Sequence, residues 1–474
     1  MTERNDLLEP APTATGATGT PTGTPTGTPP APRQSGPAAT TATESTTEPT
    51  AASPTEPTAD PTTEIRPKLL RRPDFRRYWT GHAVSLFGDQ VSMLAIPLLA
   101  VLTAKANAAQ MGYLTAAGLI PYLLFSLLAG AWADRRSDKR RIMIVADLGR
   151  MAVLITVPLL YLLGALTLPV LYVVAFAVGT LSVFFEVCDN TLFVSLVPKR
   201  DYVAANTLLN GARGMTLVAG PSAAGLLVQA LSAPIAVVAD AVSYLCSAVN
   251  LFRIKAVEPP VVTSSGWGIG EGLRFLVRNP VMRTMISATT TLNLFNYMFS
   301  AMFVLYATKS LGVRPGTLGL ILGVGAFGAL AGAVVTKPLV RKLGIGPAFV
   351  VGELLFPAPC VLVPLAHGSQ TVVLGMLFLA EFLSGAGVML LDITAGSLMT
   401  AVIPDALRSR TQGAQRTINY GIRPIGALIG GLLGSTIGVH DTLWVGAIGG
   451  MAGALWLIWS PIPRMRELPE APDA

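Results

Sequence analysis

The chain has 474 residues, of which 51% are hydrophobic and only 13% are charged, and its formal net charge is +7. Soluble domains carry about 25% charged residues, so this composition excludes an ordinary soluble protein and indicates an integral membrane protein. The positive charge alone would fit a nucleic-acid-binding protein. The positions of the basic residues give it a different meaning.

Basic residues concentrate in segments that alternate along the chain with long apolar stretches. If the apolar stretches form twelve membrane spans, nearly all basic loops lie on one side, and Lys105, Lys309 and Arg314 fall in loops on the other side. Cytoplasmic loops of membrane proteins carry an excess of Lys and Arg. We therefore expect a multi-pass protein of the cytoplasmic membrane with both termini in the cytoplasm.

The chain opens with 65 residues that are rich in Thr, Pro, Ala and Gly and almost lack large apolar side chains. Such a segment cannot offset its ordering entropy, so residues 1–65 are predicted to be a disordered cytoplasmic tail. The apolar segments that follow are each long enough to cross about 30 Å of hydrocarbon as a helix. The predicted spans are 78–103, 109–133, 142–164, 168–192, 203–228, 233–253, 284–308, 315–336, 347–366, 371–396, 413–437 and 442–462.

These spans predict an all-α integral membrane fold with two bundles of six helices. The N-terminal bundle covers residues 66–253, the C-terminal bundle covers 284–463, and a second cytoplasmic tail covers 464–474. A cytoplasmic linker at 254–283 joins the bundles. Its residues 269–278 have apolar and basic side chains that suit a helix on the membrane surface, although a plain tether fits equally well.

Span 1 contains one acid near its middle, Asp89. An isolated charge at the bilayer centre costs at least about 2.5–3.5 kcal/mol, and removal from water favours the protonated form of a carboxyl group. Asp89 is therefore predicted to couple transport to protons or to contact a substrate. The alternative is a structural acid that pairs with an Arg of a neighbouring span.

A strongly charged segment separates spans 2 and 3. The run from Gly130 to Arg141 contains five basic and two acidic residues, so two membrane helices must turn here at an aqueous face. In span 3, Asp147 and Arg150 lie one helical turn apart. They are predicted to form a structural or gating cluster with Asp134.

Span 5 contains the sequence Ala219-Gly-Pro-Ser-Ala-Ala-Gly225. Proline removes a backbone donor, and glycine permits close approach of a neighbouring helix. This part of the helix is therefore predicted to bend or to pack tightly through Gly220, Pro221 and Gly225.

Other ionisable residues lie within spans of both halves. Arginine stays protonated, so each buried Arg needs an acid, a carbonyl group or an anionic substrate as its partner. Most of these groups are expected to neutralise one another. The remaining candidates for proton coupling or substrate contact are Arg213, Asp240, Glu381, Arg416 and Arg423.

The two halves of the chain are related by an internal repeat. A shift of 206 residues places Gly220 on Gly426 and the Gly225-Leu-Leu sequence on Gly431-Leu-Leu. The same shift pairs the acids of spans 3 and 9 and of spans 4 and 10, namely Asp147 with Glu353 and Glu186 with Asp392. Because each repeat has an even number of spans, the copies keep the same orientation, and a substrate of such a protein binds between them near mid-membrane.

Several of these motifs resemble those of the major facilitator superfamily. The loop signature between helices 2 and 3 of that family is matched by Gly130, Ala133, Asp134, Arg135 and Lys139. The segment of Gly220, Pro221 and Gly225 resembles the export motif of the family's antiporters. The sequences at 75–79, 271–276 and 403–408 are similar to those of enterobactin-type siderophore exporters and macrolide or multidrug efflux proteins, and the resemblance covers roughly residues 70–463.

This resemblance implies a secondary transporter that exports a small organic compound, such as a drug, antibiotic or siderophore-like molecule, in exchange for protons by alternating access. It also implies that the charged loop helps to latch the outward-open state. The expected partners are a small-molecule substrate, protons and the lipid bilayer, with no nucleic acid, and we expect a monomer. Cys188, Cys246 and Cys360 lack metal-type spacing, so neither a metal nor another cofactor is expected.

Three alternatives remain open from the sequence, and one of them is a non-transporting receptor or assembly factor on the same scaffold. A proton-coupled metabolite importer would have the same architecture, because direction of transport leaves no simple mark in the residues. A membrane-embedded transferase would need clustered aspartates to hold a metal and a diphosphate, and Glu186-Val-Cys-Asp189 is the closest approach. A nucleotide-driven pump is disfavoured, because the chain has no Gly-x4-Gly-Lys-Ser/Thr loop.

Overall fold

Long helices make up almost all of the described chain. The computed structural model describes residues 69–255, 269–404 and 407–468, so the predicted tail at 1–65 lies outside the described residues. The helices of the N-terminal half are α1 (Pro73–Leu102), α2 (Ala108–Asp134), α3 (Lys139–Leu162), α4 (Leu168–Leu196), α5 (Tyr202–Leu231) and α6 (Ala233–Phe252).

The C-terminal half begins with a short helix in the predicted linker. The helices from residue 269 onwards are α7 (Ile269–Arg278), α8 (Pro280–Lys309), α9 (Pro315–Leu343), α10 (Ile345–Leu355), α11 (Gln370–Val402), α12 (Arg408–Thr436), α13 (Val439–Met451) and α14 (Leu455–Ile458). Two predicted spans are irregular: span 9 continues from α10 into a 3-10 segment at Ala358–Leu362, and a 3-10 turn at Ala452–Ala454 separates α13 from α14.

Ten segments of the described chain are long and apolar enough to cross a membrane. Helices α8 and α12 are of similar length, but α8 is rich in Thr and Asn, and α12 carries Arg416 and Arg423. Both helices pack between others, α8 against α12 and α13, and α12 against α2. Their polar residues can therefore face protein instead of lipid, which explains why these two spans are less apolar than the rest.

Local sequence signals set several helix ends. Asn107 and Gln110 form a reciprocal cap at the start of α2, with each side chain accepting a hydrogen bond from the other's backbone N–H at 3.0 and 2.9 Å. The Asn279 side chain caps α8 in a related way. Gly344 separates α9 from α10 with φ +98°, a conformation that is strained for residues with a Cβ atom.

The charged segment after span 2 forms the predicted turn. Helix α2 ends at Asp134 and α3 begins at Lys139. Arg140 donates to the backbone carbonyls of Phe252 and Ile254, which joins this turn to the end of α6. The side chain of Asp134 lies outside the described part of the structure, so its predicted contact with Asp147 and Arg150 stays a prediction.

The two ends of the bundle differ in how its halves meet. We call the end that holds residues 135–138, 253–255 and 403–404 the termini face, and the end that holds 103–107, 232 and 310–314 the opposite face. The halves contact each other mainly through two helix pairs, α2 with α12 and α5 with α9, and less closely where α8 meets α1 and α2. The internal repeat relates one pair to the other, because span 2 corresponds to span 8 and span 5 corresponds to span 11.

The buried apolar residues form three clusters. One cluster fills the half of the molecule near the opposite face and takes residues from both bundles, among them Leu98, Ala224, Met302 and Leu377. Near the termini face, each bundle has its own separate cluster, represented by Met143 in one and Phe349 in the other. The bundles are therefore joined at the opposite face and separated at the termini face.

Glycines permit the close contact at the opposite face. A side chain at Gly225 would overlap the backbone of Pro315 and Gly319 on α9, and one at Gly112 would overlap Ala427 and Gly431 on α12. Gly225 and Gly431 are the residues that the 206-residue shift superposes. The same repeat position thus serves the same contact in each half.

Candidate functional site

Exposed charged side chains and the two separate apolar clusters indicate a cleft between the bundles at the termini face. Four charged side chains near the middle of their helices are exposed there although membrane helices surround them: Glu186, Arg213, Asp392 and Arg416. Charged residues in membrane spans face the interior of the bundle or a water-filled cavity. These residues therefore line the space that the two separate apolar clusters leave between the halves.

Asp89 lies beside this cleft within a buried group of polar side chains. We call Asp89, Asp147, Arg150, Asp240 and Tyr244 the N-bundle polar cluster. The Tyr244 hydroxyl on α6 donates a hydrogen bond of 2.5 Å to the Asp89 carboxylate on α1. The Arg150 guanidinium on α3 stacks over the Tyr244 ring at 4.1 Å from its centroid. Helices α1, α3 and α6 therefore meet through these side chains.

Arg150 has its ion pair with Asp147, one helical turn away on α3. The two side chains are 3% and 0% exposed, and Arg150 also lies over the Phe185 ring at 4.5 Å and near the Ser182 hydroxyl at 3.4 Å. The alternative role of Asp89, a structural acid paired with an Arg, would require a direct ion pair, and the ion pair of Arg150 is with Asp147 instead. The Tyr244 ring stands between Asp89 and Arg150.

A glycine brings the second acid of the cluster close to Asp89. At Gly88, a Cβ atom would overlap the side chains of Ser243 and Asp240, so α1 and α6 approach each other here because residue 88 has no side chain. Asp240 is fully buried, and one of its oxygens accepts a hydrogen bond from the Ser243 hydroxyl at 3.1 Å. Its other oxygen has no hydrogen-bond partner in the described part of the chain.

An aromatic group crosses between the bundles. We call Tyr122, Tyr297, Tyr420 and Arg423 the interbundle aromatic group. Tyr122 on α2 stacks with Tyr420 on α12 at a centroid distance of 5.6 Å, and Arg423 lies over Tyr420 at 4.1 Å and over Tyr297 at 5.0 Å. Tyr122 also donates a hydrogen bond of 2.9 Å to Glu186. A carboxylate, a guanidinium group and three tyrosine rings thus lie together between the bundles.

The predicted export-like motif in α5 packs on two sides. A side chain at Gly220 would overlap Gln90 on α1, next to Asp89, and Gly225 touches Gly319 on the other bundle. Pro221 lies inside α5. This segment therefore connects the helix that carries Asp89 with the contact between the bundles.

The acids of the C-terminal bundle are spread apart. Glu353 on α10 is fully buried, Glu381 on α11 is half-buried beside Gly325, and Asp392 is exposed towards the cleft. Among the predicted loop residues, Arg135 is exposed and Gly130 borders open space. In the described residues, no group of three or more His, Cys, Asp and Glu side chains is placed to hold a metal ion.

The tyrosines of the site and one histidine were not predicted from the sequence as functional residues. Tyr122, Tyr244 and Tyr420 are single aromatic residues in apolar spans, and no spacing rule marks their pairing with residues 64 to 298 positions away. His82 packs on Tyr78 and lies 3.9 Å from Asp189, close to the termini face. The only usable signal was that tyrosine in a lipid-spanning helix needs a partner for its hydroxyl.

Two helical bundles that share a cleft lined with charged residues define a membrane transporter of the major facilitator class. The chain belongs to the transmembrane secretion effector family of this superfamily, whose family model matches residues 65–474. It is therefore a multi-pass membrane transporter, and the transferase enzyme considered from the sequence is excluded.

Curated relatives and solved structures agree with this assignment. The chain is 26% identical over 405 residues to the multidrug efflux pump Tap of Mycolicibacterium fortuitum, covering 80% of this chain and 93% of that protein. It is 29% identical to Tap of Mycobacterium tuberculosis H37Rv, covering 82% and 93%. A bacterial homologue of the iron transporter ferroportin, in an inward-facing state, has the same fold with a TM-score of 0.67 at 19% identity, covering 82% and 98%.

Proposed function

We propose that the protein exports a small, amphiphilic organic compound across the cytoplasmic membrane in exchange for protons, by alternating access. The observation that carries this proposal is Asp89, a carboxyl group in the middle of α1 that is held by Tyr244 at the edge of the cleft. The names of the relatives support export, because Tap is described as a multidrug efflux pump.

The orientation follows from charge. The termini face carries most of the basic loop residues, which favours its placement in the cytoplasm. With that orientation, the cleft in this structure opens to the cytoplasm, as an exporter requires when it loads its substrate. The interbundle contacts at Gly112 and Gly225 then close the external side.

The interbundle aromatic group supports an organic substrate. Tyrosine rings bind apolar and aromatic surfaces by stacking, and a carboxylate or a guanidinium can hold a charged end of the ligand. Glu186 and Arg423 provide both charges beside the rings of Tyr122 and Tyr420. An amphiphilic compound with a ring system fits this lining better than a small inorganic ion.

The proton is proposed to exchange at Asp89. Protonation would weaken the hydrogen bond that Asp89 accepts from Tyr244 and the electrostatic attraction between Asp89 and Arg150. Helices α1 and α6 would then be free to shift relative to each other. The shift reaches the other bundle through α5, because Gly220 packs on α1 and Gly225 packs on α9. Proton binding at Asp89 and substrate binding in the cleft can in this way favour different arrangements of the bundles.

Asp89→Asn is expected to abolish proton-driven efflux while leaving exchange down a substrate gradient. The neutral amide imitates the protonated acid but cannot release a proton. The measurement uses proteoliposomes with an imposed pH gradient and a fluorescent compound chosen by a susceptibility screen of cells with and without the protein. Asp74→Asn, a partly exposed acid paired with Arg77 on the same helix, is the matched control. An unchanged pH dependence in Asp89→Asn would reject the proposed role.

A further inference from the structure

The surroundings of Glu353 differ from those of the other acids within the membrane spans. Its side chain is fully buried on α10, and neither carboxyl oxygen has a hydrogen-bond partner in the described part of the chain. An ionised carboxylate buried without a partner costs several kcal/mol in proteins. Such a group is stable in the interior only when it carries a proton.

The elements packed on α10 offer Glu353 no counter-charge. Its carboxyl group borders Gly453 of the 3-10 turn, which itself packs on Ala288 of α8, and the neighbouring Gly352 packs on Leu391 of α11. The titratable and charged side chains on the elements around α10 are Arg283, Tyr297, Tyr306, Lys309, Lys337, Arg341, Lys342, Cys360, Glu381, Asp392, His440, Asp441, Arg464 and Arg466. Neither oxygen of Glu353 hydrogen-bonds to any of these side chains.

The internal repeat shows what Glu353 lacks. The repeat partner of Glu353 is Asp147, and the residue one turn later is Arg150 in the first half but Phe356 in the second. In the N-terminal bundle, Arg150 holds the buried Asp147 by an ion pair. The C-terminal bundle has a buried acid at the equivalent position but a phenyl ring where the first half has the cation.

We propose that Glu353 is a proton-binding site of the C-terminal bundle, separate from Asp89, which is occupied by a proton when the cleft is open at the termini face. The role of this proton in transport rests on the proposed proton-driven export, whereas the presence of the proton on Glu353 does not. A second site in the other bundle would let both halves respond to protons, and each transport cycle could then exchange more than one proton.

The chain beside Glu353 provides a place for the proton to enter. Helix α10 ends at Leu355, two residues after Glu353, and the segment that follows is a 3-10 turn. Phe356 and Pro357 of this break line a small cavity together with the polar side chain of Asn296. Irregular segments at membrane depth are tolerated where they are buried in protein or line a cavity. A rearrangement at this break would expose Glu353 to water.

The test measures protonated carboxyl groups by infrared spectroscopy of the purified full-length protein in lipid nanodiscs, without substrate or pH gradient. At neutral pH, Glu353→Gln is expected to remove the carbonyl band of one protonated carboxyl group. Asp441→Asn, an exposed acid at the opposite face of the same bundle, is expected to leave that band unchanged. A band of equal intensity in Glu353→Gln and in the wild type would overturn the proposal.

Two further variants keep the test decisive. Phe356→Arg restores the cation of the first half and is expected to remove the same band, because it holds Glu353 in its ionised form. Glu353→Met is expected to fold at least as well as the wild type, because it replaces a neutral buried acid with an apolar side chain. Failure of both Glu353→Gln and Glu353→Met to fold would mean that a charge is required there, which would also overturn the proposal. Since no transport is measured, a failed Asp89 test leaves this result standing.

Discussion

Arg150→Ala is expected to destabilise the protein by roughly 3–5 kcal/mol, the cost of breaking a buried ion pair by removing one partner. The change would leave the Asp147 carboxylate uncompensated at 0% exposure and would remove the stacking on Tyr244 and Phe185. The thermal unfolding midpoint of the detergent-purified protein measures the effect. The expected result is a large fall in that midpoint.

The same helix provides the control. Asp138 and Arg141 form an Asp–Arg pair with the same spacing at the start of α3, but they are 63% and 76% exposed. Exposed pairs contribute about 0–1 kcal/mol, so Arg141→Ala should change the midpoint little. The double variant Asp147→Leu, Arg150→Met should recover part of the lost stability, because apolar residues can replace a buried ion pair. Equal midpoints for Arg150→Ala and Arg141→Ala would contradict the importance given to burial.

Gly225→Leu is expected to abolish transport and to shift the protein away from the arrangement seen here. The new side chain would overlap the backbone of Pro315 and Gly319, where α5 meets α9. Overpacking of this kind costs about 1–3 kcal/mol, and a difference of that size changes a two-state equilibrium about 5- to 150-fold. Labelling of a cysteine at Val203, an exposed residue at the start of α5, by a water-soluble maleimide reports the shift.

The matched control is Gly375→Leu. Gly375 lies near the same face in α11, but it borders open space, so a side chain there meets no neighbour. Its labelling at position 203 and its transport rate should stay close to those of the parent protein. If Gly225→Leu transported at the parent rate, close contact at the opposite face would have no part in the cycle.

The sequence predicted the fold where one physical constraint dominates. Helices α2 and α3 turn at 135–138 because a run of charged residues cannot enter lipid, and the repeat placed Gly225 and Gly431 at equivalent positions. Membrane helices need apolar residues on most of their surface. The number of helices and their approximate ends can therefore be predicted from the sequence. These features depend on local composition and need no knowledge of distant contacts.

Irregular spans were predicted less well. Span 9 was predicted as an uninterrupted segment at 347–366, whereas α10 ends at Leu355 and a 3-10 segment follows. The cause lies in Pro357 and Pro359, since proline lacks the N–H group and clashes with the preceding turn. Hydropathy responds to side-chain polarity and therefore does not detect such a break.

The site depends on contacts that no local pattern encodes. Asp89 stood out as a single acid in an apolar span, but its hydrogen-bond partner is Tyr244, 155 residues away. The Arg partner of the alternative structural role is absent from the described contacts of Asp89. The stacking of Tyr122 on Tyr420 joins the two bundles across a still longer separation. Such pairs follow from how the helices pack, which a single sequence does not specify.

Alternating access is tested most directly by two distances between spin labels on α5 and α9. After replacement of the three native cysteines, one pair joins Val203 and Lys342 at the termini face, and the other joins Leu231 and Arg314 at the opposite face, all of them exposed positions. Distances are measured by pulsed electron resonance at high and low pH, with and without a transported compound. The proposed mechanism predicts that the first distance shortens in a fraction of molecules while the second lengthens. Distances that stay fixed in all conditions, or that change in the same direction, would contradict it.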